Sequence, residues 1–250
     1  MRKSILGLSA LALLASATPS FAQEAEAASS ITITGSAALV SDYRFRGFSQ
    51  SSENAAVQAG ITATHSSGFY VGTWGSSINL VSVAPDESVA DLPTEIDIFA
   101  GYSTKVAEGL TVDVGLLYYL YPKHGGGDTD FFEPYVNLIG AVGPATIKVG
   151  ANYAWSQSAL GDNSAIYFHA EPSIAIPGTP LGLNAHLGYA KSDAFPGGAD
   201  GKVWDYSIGA TATYKMLTFG VSYVDTDERS VFAEPAGSDG AVVFSLTAAF

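Results

Sequence analysis

Apolar and polar residues alternate at period two through nearly the whole of this chain, and that alternation limits the folds open to it. In LTVDVGLLYYLY (110–121), Leu110, Val112, Val114, Leu116, Tyr118 and Leu120 share one face. Thr111, Asp113, Gly115, Leu117, Tyr119 and Tyr121 share the other. LTFGVSYV (217–224) and GAVVFSLTAAF (240–250) repeat the pattern. Successive side chains of a strand point to opposite sides, so each segment reads as a strand with one apolar face.

The connections alternate too. Tight turns sit at SSG (66–68), VAEG (106–109), VGP (142–144), PGTP (177–180) and KM (215–216), and longer polar loops near 47–54, 81–93, 122–130, 157–163, 192–202 and 226–239. Between them lie about twelve strands, at 36–46, 55–65, 69–80, 94–104, 110–121, 131–142, 145–156, 164–176, 181–191, 203–214, 217–225 and 240–250. Their length suits the roughly 9–11 residues of a tilted membrane strand. An even strand number, with short turns at one end and long loops at the other, predicts an all-β fold: an antiparallel up-and-down transmembrane barrel with short periplasmic turns and longer extracellular loops.

A soluble sandwich or lipocalin-like barrel shows the same alternation with its apolar face inward. Charged residues are only 14% of the chain, and the polar face carries Gly115, Gly150, Gly188, Gly209 and Gly220 beside Ser and Thr, too uncharged for a solvated exterior. Aromatics gather at strand ends: Tyr118, Tyr153, Trp155, Tyr189 and Tyr223 near the loops, Tyr102, Tyr214 and Phe250 near the turns. Both features favour the membrane barrel.

The N-terminus reads as an export signal: Arg2 and Lys3, the apolar SILGLSALALLASA, then the small-x-small site Ser20-Phe21-Ala22. The expected organisation is a signal peptide at 1–22, an N-terminal periplasmic segment at 23–35 and a barrel at 36–250. An uncleaved anchor is the alternative. No run of 18 apolar residues follows Ala22, so no helical span is expected. The chain has no cysteine, which removes disulfides and thiolate metal sites.

Eleven Lys and Arg against 24 Asp and Glu give a formal net charge of -13, so nucleic acid is not an expected partner. If the apolar stripes face lipid, the other parity lines the lumen. The lumen candidates are Asp42, Arg44, Arg46, Gln58, Glu95, Asp97, Asp113, Glu133, Asn137, Lys148, Asn152, His169, Glu171, Asn184, His186, Asp205 and Lys215. Nearly every strand charge falls on that parity, as expected where a lipid-facing charge at mid-membrane costs about 2–4 kcal/mol.

Glu95, Glu133, Glu171 and Asp205 recur about 38 residues apart, one hairpin per repeat, and are each expected to open a descending strand. With Arg44 and Arg46 ending the first strand, they suggest an acidic arc facing an arginine pair at a constriction. Charged rings of this kind set ion preference in pores. The same charges could instead pair and close the lumen, making a non-conducting structural or adhesion barrel filled by residues such as Phe99, Leu117 and Tyr119. Pro134 and Pro172 lack an N–H and are expected to fray the pairing near the loop end.

SDYRFRG, SGFYVGTWGS and DIFAGY, within residues 39–104, resemble the proteobacterial Gcw-type, TorF-like porin family. The resemblance implies an outer-membrane channel and assigns no catalytic or ligand residue. The partners expected of such a chain are outer-membrane lipid and lipopolysaccharide, the barrel-assembly machinery acting on a C-terminal strand ending in Phe250, and small solutes or ions.

Chemistry of other kinds has little support. His65, His124, His169 and His186 lack zinc spacing, so neither metal nor other cofactor is expected. His169, Glu171 and His186 share lumen parity, but no nucleophile motif accompanies them, which leaves an outer-membrane hydrolase the weakest reading. GGGDTD (125–130) and DTDE (225–228) are acidic without the EF-hand spacing and read as solvated loop tips, with weak divalent-cation bridging to surface lipid as the alternative.

Overall fold

The computed structural model describes residues 30–83, 89–122, 124–125, 128–193, 200–228 and 237–250; the export signal read at 1–22 lies outside them. The wall consists of β1 (Ile31–Val40), β4 (Ala56–His65), β5 (Phe69–Val83), β6 (Val89–Ala107), β7 (Leu110–Leu120), β9 (Phe131–Val142), β10 (Ala145–Gln157), β11 (Asn163–Ala175), β12 (Leu181–Ser192), β13 (Lys202–Tyr214), β14 (Leu217–Thr226) and β15 (Ala241–Ala249). The short β2 (Arg44–Phe45) and β3 (Phe48–Ser49) form a separate hairpin, and β8 (His124–Gly125) adds to the far end of β6.

Each wall strand pairs antiparallel with its neighbours in sequence, and β1 also pairs with β15, from Ser36 opposite Ala249 to Val40 opposite Ser245. Gly35 and Phe250 complete the seam by exchanging two backbone hydrogen bonds, of 2.7 and 2.9 Å. The ring of Phe250 lies over Gly35, where a Cβ would come within 2.7 Å of it. The result is a closed, twelve-stranded up-and-down barrel with no free wall edge.

The polarity is the reverse of a soluble barrel's. Val57, Ile208 and Phe219 point outward and are more than half exposed, whereas Glu95, Asp97, Asp113, Glu133 and Asn137 point inward and are at most 2% exposed. At the loop end Tyr118, Phe132 and Trp155 stack along the outer wall with centroids 4.4 and 6.0 Å apart, and Tyr189 packs on Trp204 at 4.8 Å. At the turn end Phe69 packs on Tyr102 at 4.8 Å. An apolar band between aromatic girdles is the surface a lipid bilayer requires.

The inward glycines have a packing role. Gly72 is paired with Phe99, Gly101 with Tyr70 and Gly115 with Tyr135, and each ring lies flat across its glycine. A Cβ on Gly115 would stand 2.5 Å from Tyr135 Cζ and 2.8 Å from the Ala100 carbonyl oxygen. Tyr167 covers Gly188 in the same way. The rings of Tyr70, Phe99 and Tyr135, with Trp74, Leu117 and Tyr119, form one buried cluster inside the lumen.

Ten of the twelve expected strands lie within three residues of their predicted places; β6 begins five residues early, at Val89, and the first strand is displaced as a whole. β1 runs from Ile31 to Val40 rather than over 36–46, so residues 31–35 belong to the barrel wall and not to a periplasmic segment. Pairing does fray at both prolines. β9 stops pairing with β10 at Tyr135, and the β11–β12 ladder skips Glu171 and Pro172. Pro172, however, lies toward the turn end of β11, not the loop end.

Candidate functional site

Past Val40 the chain leaves the wall and folds into the barrel. Asp42 drives the change of direction: its carboxylate accepts hydrogen bonds from Ser49 Oγ (2.6 Å) and Ser51 Oγ (2.9 Å) and pairs with Arg44. Residues 44–49 then form the β2–β3 hairpin, Phe45 opposite Phe48, with Arg46 and Gly47 as its two-residue turn. Both turn residues have positive φ, 51° and 87°, as the type I′ hairpin turn requires. The tip presses on β13 and β14, since a Cβ on Gly47 would lie 2.7 Å from Thr226 Cβ and 3.1 Å from Asp205 Cβ.

Side chains hold the hairpin in place. Tyr43 donates to Glu95 Oε1 at 2.9 Å and meets Trp74 edge-on at 5.4 Å. Phe45 meets Tyr119 edge-on at 5.9 Å, and Phe48 is buried with Tyr167, Ala190 and Val203. Arg46 Nη2 reaches both oxygens of Glu133, at 2.7 and 2.8 Å, while its guanidinium lies 4.1 Å from the Tyr167 ring centroid and 4.7 Å from that of Phe45. Glu133 also accepts from Tyr119 (3.1 Å) and Asn152 (3.0 Å).

This arrangement corrects the expectation for Arg44 and Arg46, which do not share one face of a strand. Arg44 belongs to the rim, where its Nη1 donates to the carbonyls of Gly237 (3.0 Å) and Asp239 (2.9 Å). Only Arg46 enters the acidic arc. Tyr43 and Phe45, which alternate with the two arginines and would face lipid if the first strand continued, are packed inside the lumen.

The other candidates fall as follows. Glu95, Asp97, Asp113, Glu133, His169 and Asp205 are buried and inward. Asp113 accepts from Tyr70 (2.6 Å) and Asn137 (3.1 Å), and Tyr70 also bonds Tyr135. Lys148 lies 2.7 Å from Glu171 Oε2, and His169 Nδ1 2.8 Å from Glu171 Oε1. His186 Nε2 lies 2.9 Å from Asp205 Oδ1, and Tyr167 Oη donates to the same carboxylate at 3.0 Å. Tyr167, His169 and His186 form a row of near-parallel rings, 14–19° apart.

Two assignments change. Glu171 does not open its strand; it lies near the turn end of β11, so three of the four arc acids, not four, sit toward the loop end. Lys215 is not in the lumen. It is the first residue of the two-residue β13–β14 turn, exposed, with φ 55° and its Nζ 5.4 Å from the Tyr214 ring centroid. Lys215→Ala is therefore expected to leave ion selectivity unchanged, whereas Lys148→Ala, which removes the lysine partner of Glu171 and leaves it with His169, is expected to strengthen cation preference; reversal potentials across a salt gradient check both.

A cavity of about 210 Å³ lies along the β1 and β12–β15 side, roofed by the hairpin. Its wall carries Ser36, Asn184, Ser207, Ser222, Ser245 and Thr247, and its opposite side Tyr43, Trp74 and Tyr119. Apart from Asn184, the wall residues escaped the charge-based reading, although parity with Asp205 on β13 and with Gly220 on β14 marks Ser207 and Ser222 as inward. Seven inward carboxylates (Asp42, Glu95, Asp97, Asp113, Glu133, Glu171, Asp205) face three basic side chains, Arg44, Arg46 and Lys148.

Among the described residues no group of three His, Asp or Glu is placed to hold a metal ion. A Ser–His pair does occur, Ser67 Oγ 2.7 Å from His65 Nδ1, but it sits on an exposed turn with no carboxylate among the described residues bonded to the ring. In the acidic loop tips, Asp128 and Asp130 accept hydrogen bonds from Ser158 and Tyr118, and Asp225 from Tyr206 and Tyr223.

Comparison with known proteins places this geometry in context. The profile of a family described as bacterial protein of unknown function (Gcw_chp) matches residues 24–250. No curated protein matches the chain. Among solved structures, the NanC porin is similar at TM-score 0.60 and 11% identity, over 88% of this chain and 99% of the other. The KdgM porin, in a complex with disordered oligogalacturonate, is similar at 0.52 and 8%, over 88% and 98%. An outer-membrane channel from Pseudomonas putida F1 is similar at 0.50 and 8%, over 92% and 98%. At these identities the shared feature is the porin barrel fold.

Proposed function

We propose, from the premise that this chain belongs to the Gcw_chp family, that it is a porin-like outer-membrane channel for passive diffusion of small polar solutes or ions, exported through a cleaved signal peptide. The observation that carries this reading is the cavity left open beside the inward hairpin, where hydroxyls and an amide stand among apolar side chains. A barrel serving only as an anchor has no need of an unfilled interior, and the outward apolar band supports a position of that cavity within a bilayer. No residue arrangement among those described argues for an enzyme. Phe250, at the closing seam, is the expected C-terminal handle for barrel assembly, and the aromatic girdles meet lipid and lipopolysaccharide.

The aromatic cluster in the lumen and its charge pairs supply a second reading, the closed barrel, with Phe99, Leu117 and Tyr119 buried at 7% exposure or less. Planar-bilayer recording separates the two. The channel reading expects discrete steps of small conductance with cation preference, because inward carboxylates outnumber inward basic groups and charged rings set ion preference. Absence of steps from folded protein would favour the closed barrel, and a reversal potential of anion sign would overturn the selectivity.

A further inference from the structure

The charged groups around the cavity are already partnered inside the protein. Asp42 is held by Ser49, Ser51 and Arg44; Arg46 by Glu133; Glu171 by Lys148 and His169; Asp205 by His186 and Tyr167. The neutral wall is in the opposite condition. Ser36, Asn184, Ser207, Ser222, Ser245 and Thr247 line the cavity from five adjacent strands, β1 and β12–β15. None makes a side-chain hydrogen bond among the described residues, and none is sealed from the cavity as an orphaned buried atom. A hydroxyl both donates and accepts, so this wall presents mixed hydrogen-bonding capacity without charge.

Facing it are rings. Trp74 and Tyr119 stand on β5 and β7, across the barrel from the hydroxyl wall, and Tyr43 comes from the inward loop. A solute between these surfaces meets hydroxyls and an amide on one side and the exposed edges of aromatic side chains on the other. An anion would also meet the acidic excess of the lumen, and a compact cation would find the carboxylates that line the cavity, Asp42, Glu171 and Asp205, already occupied.

We infer that the cavity is a binding site for a small neutral polyhydroxylated solute, a sugar ring or polyol, whose hydroxyls bond the serine wall and whose C–H groups meet the apolar side lined by Tyr43, Trp74 and Tyr119. Its transport role rests on the channel reading above; the binding itself does not. A few precisely placed polar groups opposite an apolar face is the usual composition of a small-molecule site.

The test uses the full protein in a zwitterionic detergent without sugar headgroups. Trp155→Phe/Trp204→Phe leaves Trp74 as the sole tryptophan, and its fluorescence is titrated with glucose, glucuronate and the hydroxyl-free ring tetrahydropyran. The expected result is a saturable response to glucose, one about tenfold weaker to glucuronate, and none to tetrahydropyran. Ser207→Ala/Ser222→Ala/Ser245→Ala, which removes only hydroxyls, is expected to weaken glucose about tenfold while heat-dependent gel mobility still reports a folded barrel. No saturable response to glucose, equal or tighter binding of glucuronate, or unaltered binding by the triple variant would overturn the site. Liposome swelling with the same solutes keeps the two readings apart. Saturable binding without swelling removes the channel and leaves the site, and swelling without saturable binding does the reverse.

Discussion

Arg46→Ala is expected to raise single-channel conductance several-fold and to make residues 43–50 sensitive to added protease. The guanidinium is the deepest anchor of the inward loop, bonded to both oxygens of Glu133 and stacked on Tyr167. Both partners are almost fully buried, with side-chain exposures of 7% and 1%. Removing one member of such a pair leaves the other charge unpaired, at a cost of about 3–5 kcal/mol. The turn that carries it, with Arg46 held at positive φ, is costly in its own right and persists because the surroundings dictate it. Without the ion pair the hairpin can leave, and Glu133 then faces water. Arg46→Lys keeps the charge but not the planar stack, so it should fall between the two. Arg44→Ala should loosen the rim contacts to Gly237 and Asp239 with a smaller effect on conductance.

The largest stability effect is expected from Gly115→Val. The new Cβ would overlap the Tyr135 ring and approach the Ala100 carbonyl oxygen at 2.8 Å. The ring is the movable member, but Tyr135 is bonded to Tyr70, which donates to Asp113. Displacing it therefore strains three strands, β5, β7 and β9, and leaves Asp113 dependent on Asn137. Overpacking of a filled site costs about 1–3 kcal/mol, and each buried polar group left unbonded adds about 1–3 kcal/mol. The folded band on an unheated gel should then convert to the unfolded position at a clearly lower temperature than wild type. Gly143→Ala, where a Cβ meets nothing within 4 Å but φ is 59°, should cost less.

Most of the wall was legible because two independent signals agreed there. Period-two alternation located the strands, and turns such as Lys215-Met216 fixed their phase. The same parity placed Asp113, Glu133 and Asp205 inside. It failed at residues 41–50, where Tyr43 and Phe45 continue the alternation of β1 although the backbone has already turned inward. The available signal was Gly47 after Arg46 between two phenylalanines, a two-residue turn of the X-Gly kind. Nothing in the alternation distinguishes an aromatic facing lipid from one packed on Trp74. Lys215 misled for a related reason, since parity loses meaning once a strand reaches its turn. The packing of rings over Gly72, Gly101 and Gly115 lay beyond sequence reading, because it depends on which strands pair and in what register.

Single-channel recording of the protein with residues 43–50 replaced by a short Gly-Ser link tests the central claim most directly, that the first loop half-occupies a conducting lumen. The expected result is a conductance several-fold above wild type, with cation preference retained because Glu95, Glu133, Glu171 and Asp205 remain. An unchanged conductance, or no channel steps from either folded protein, would contradict it.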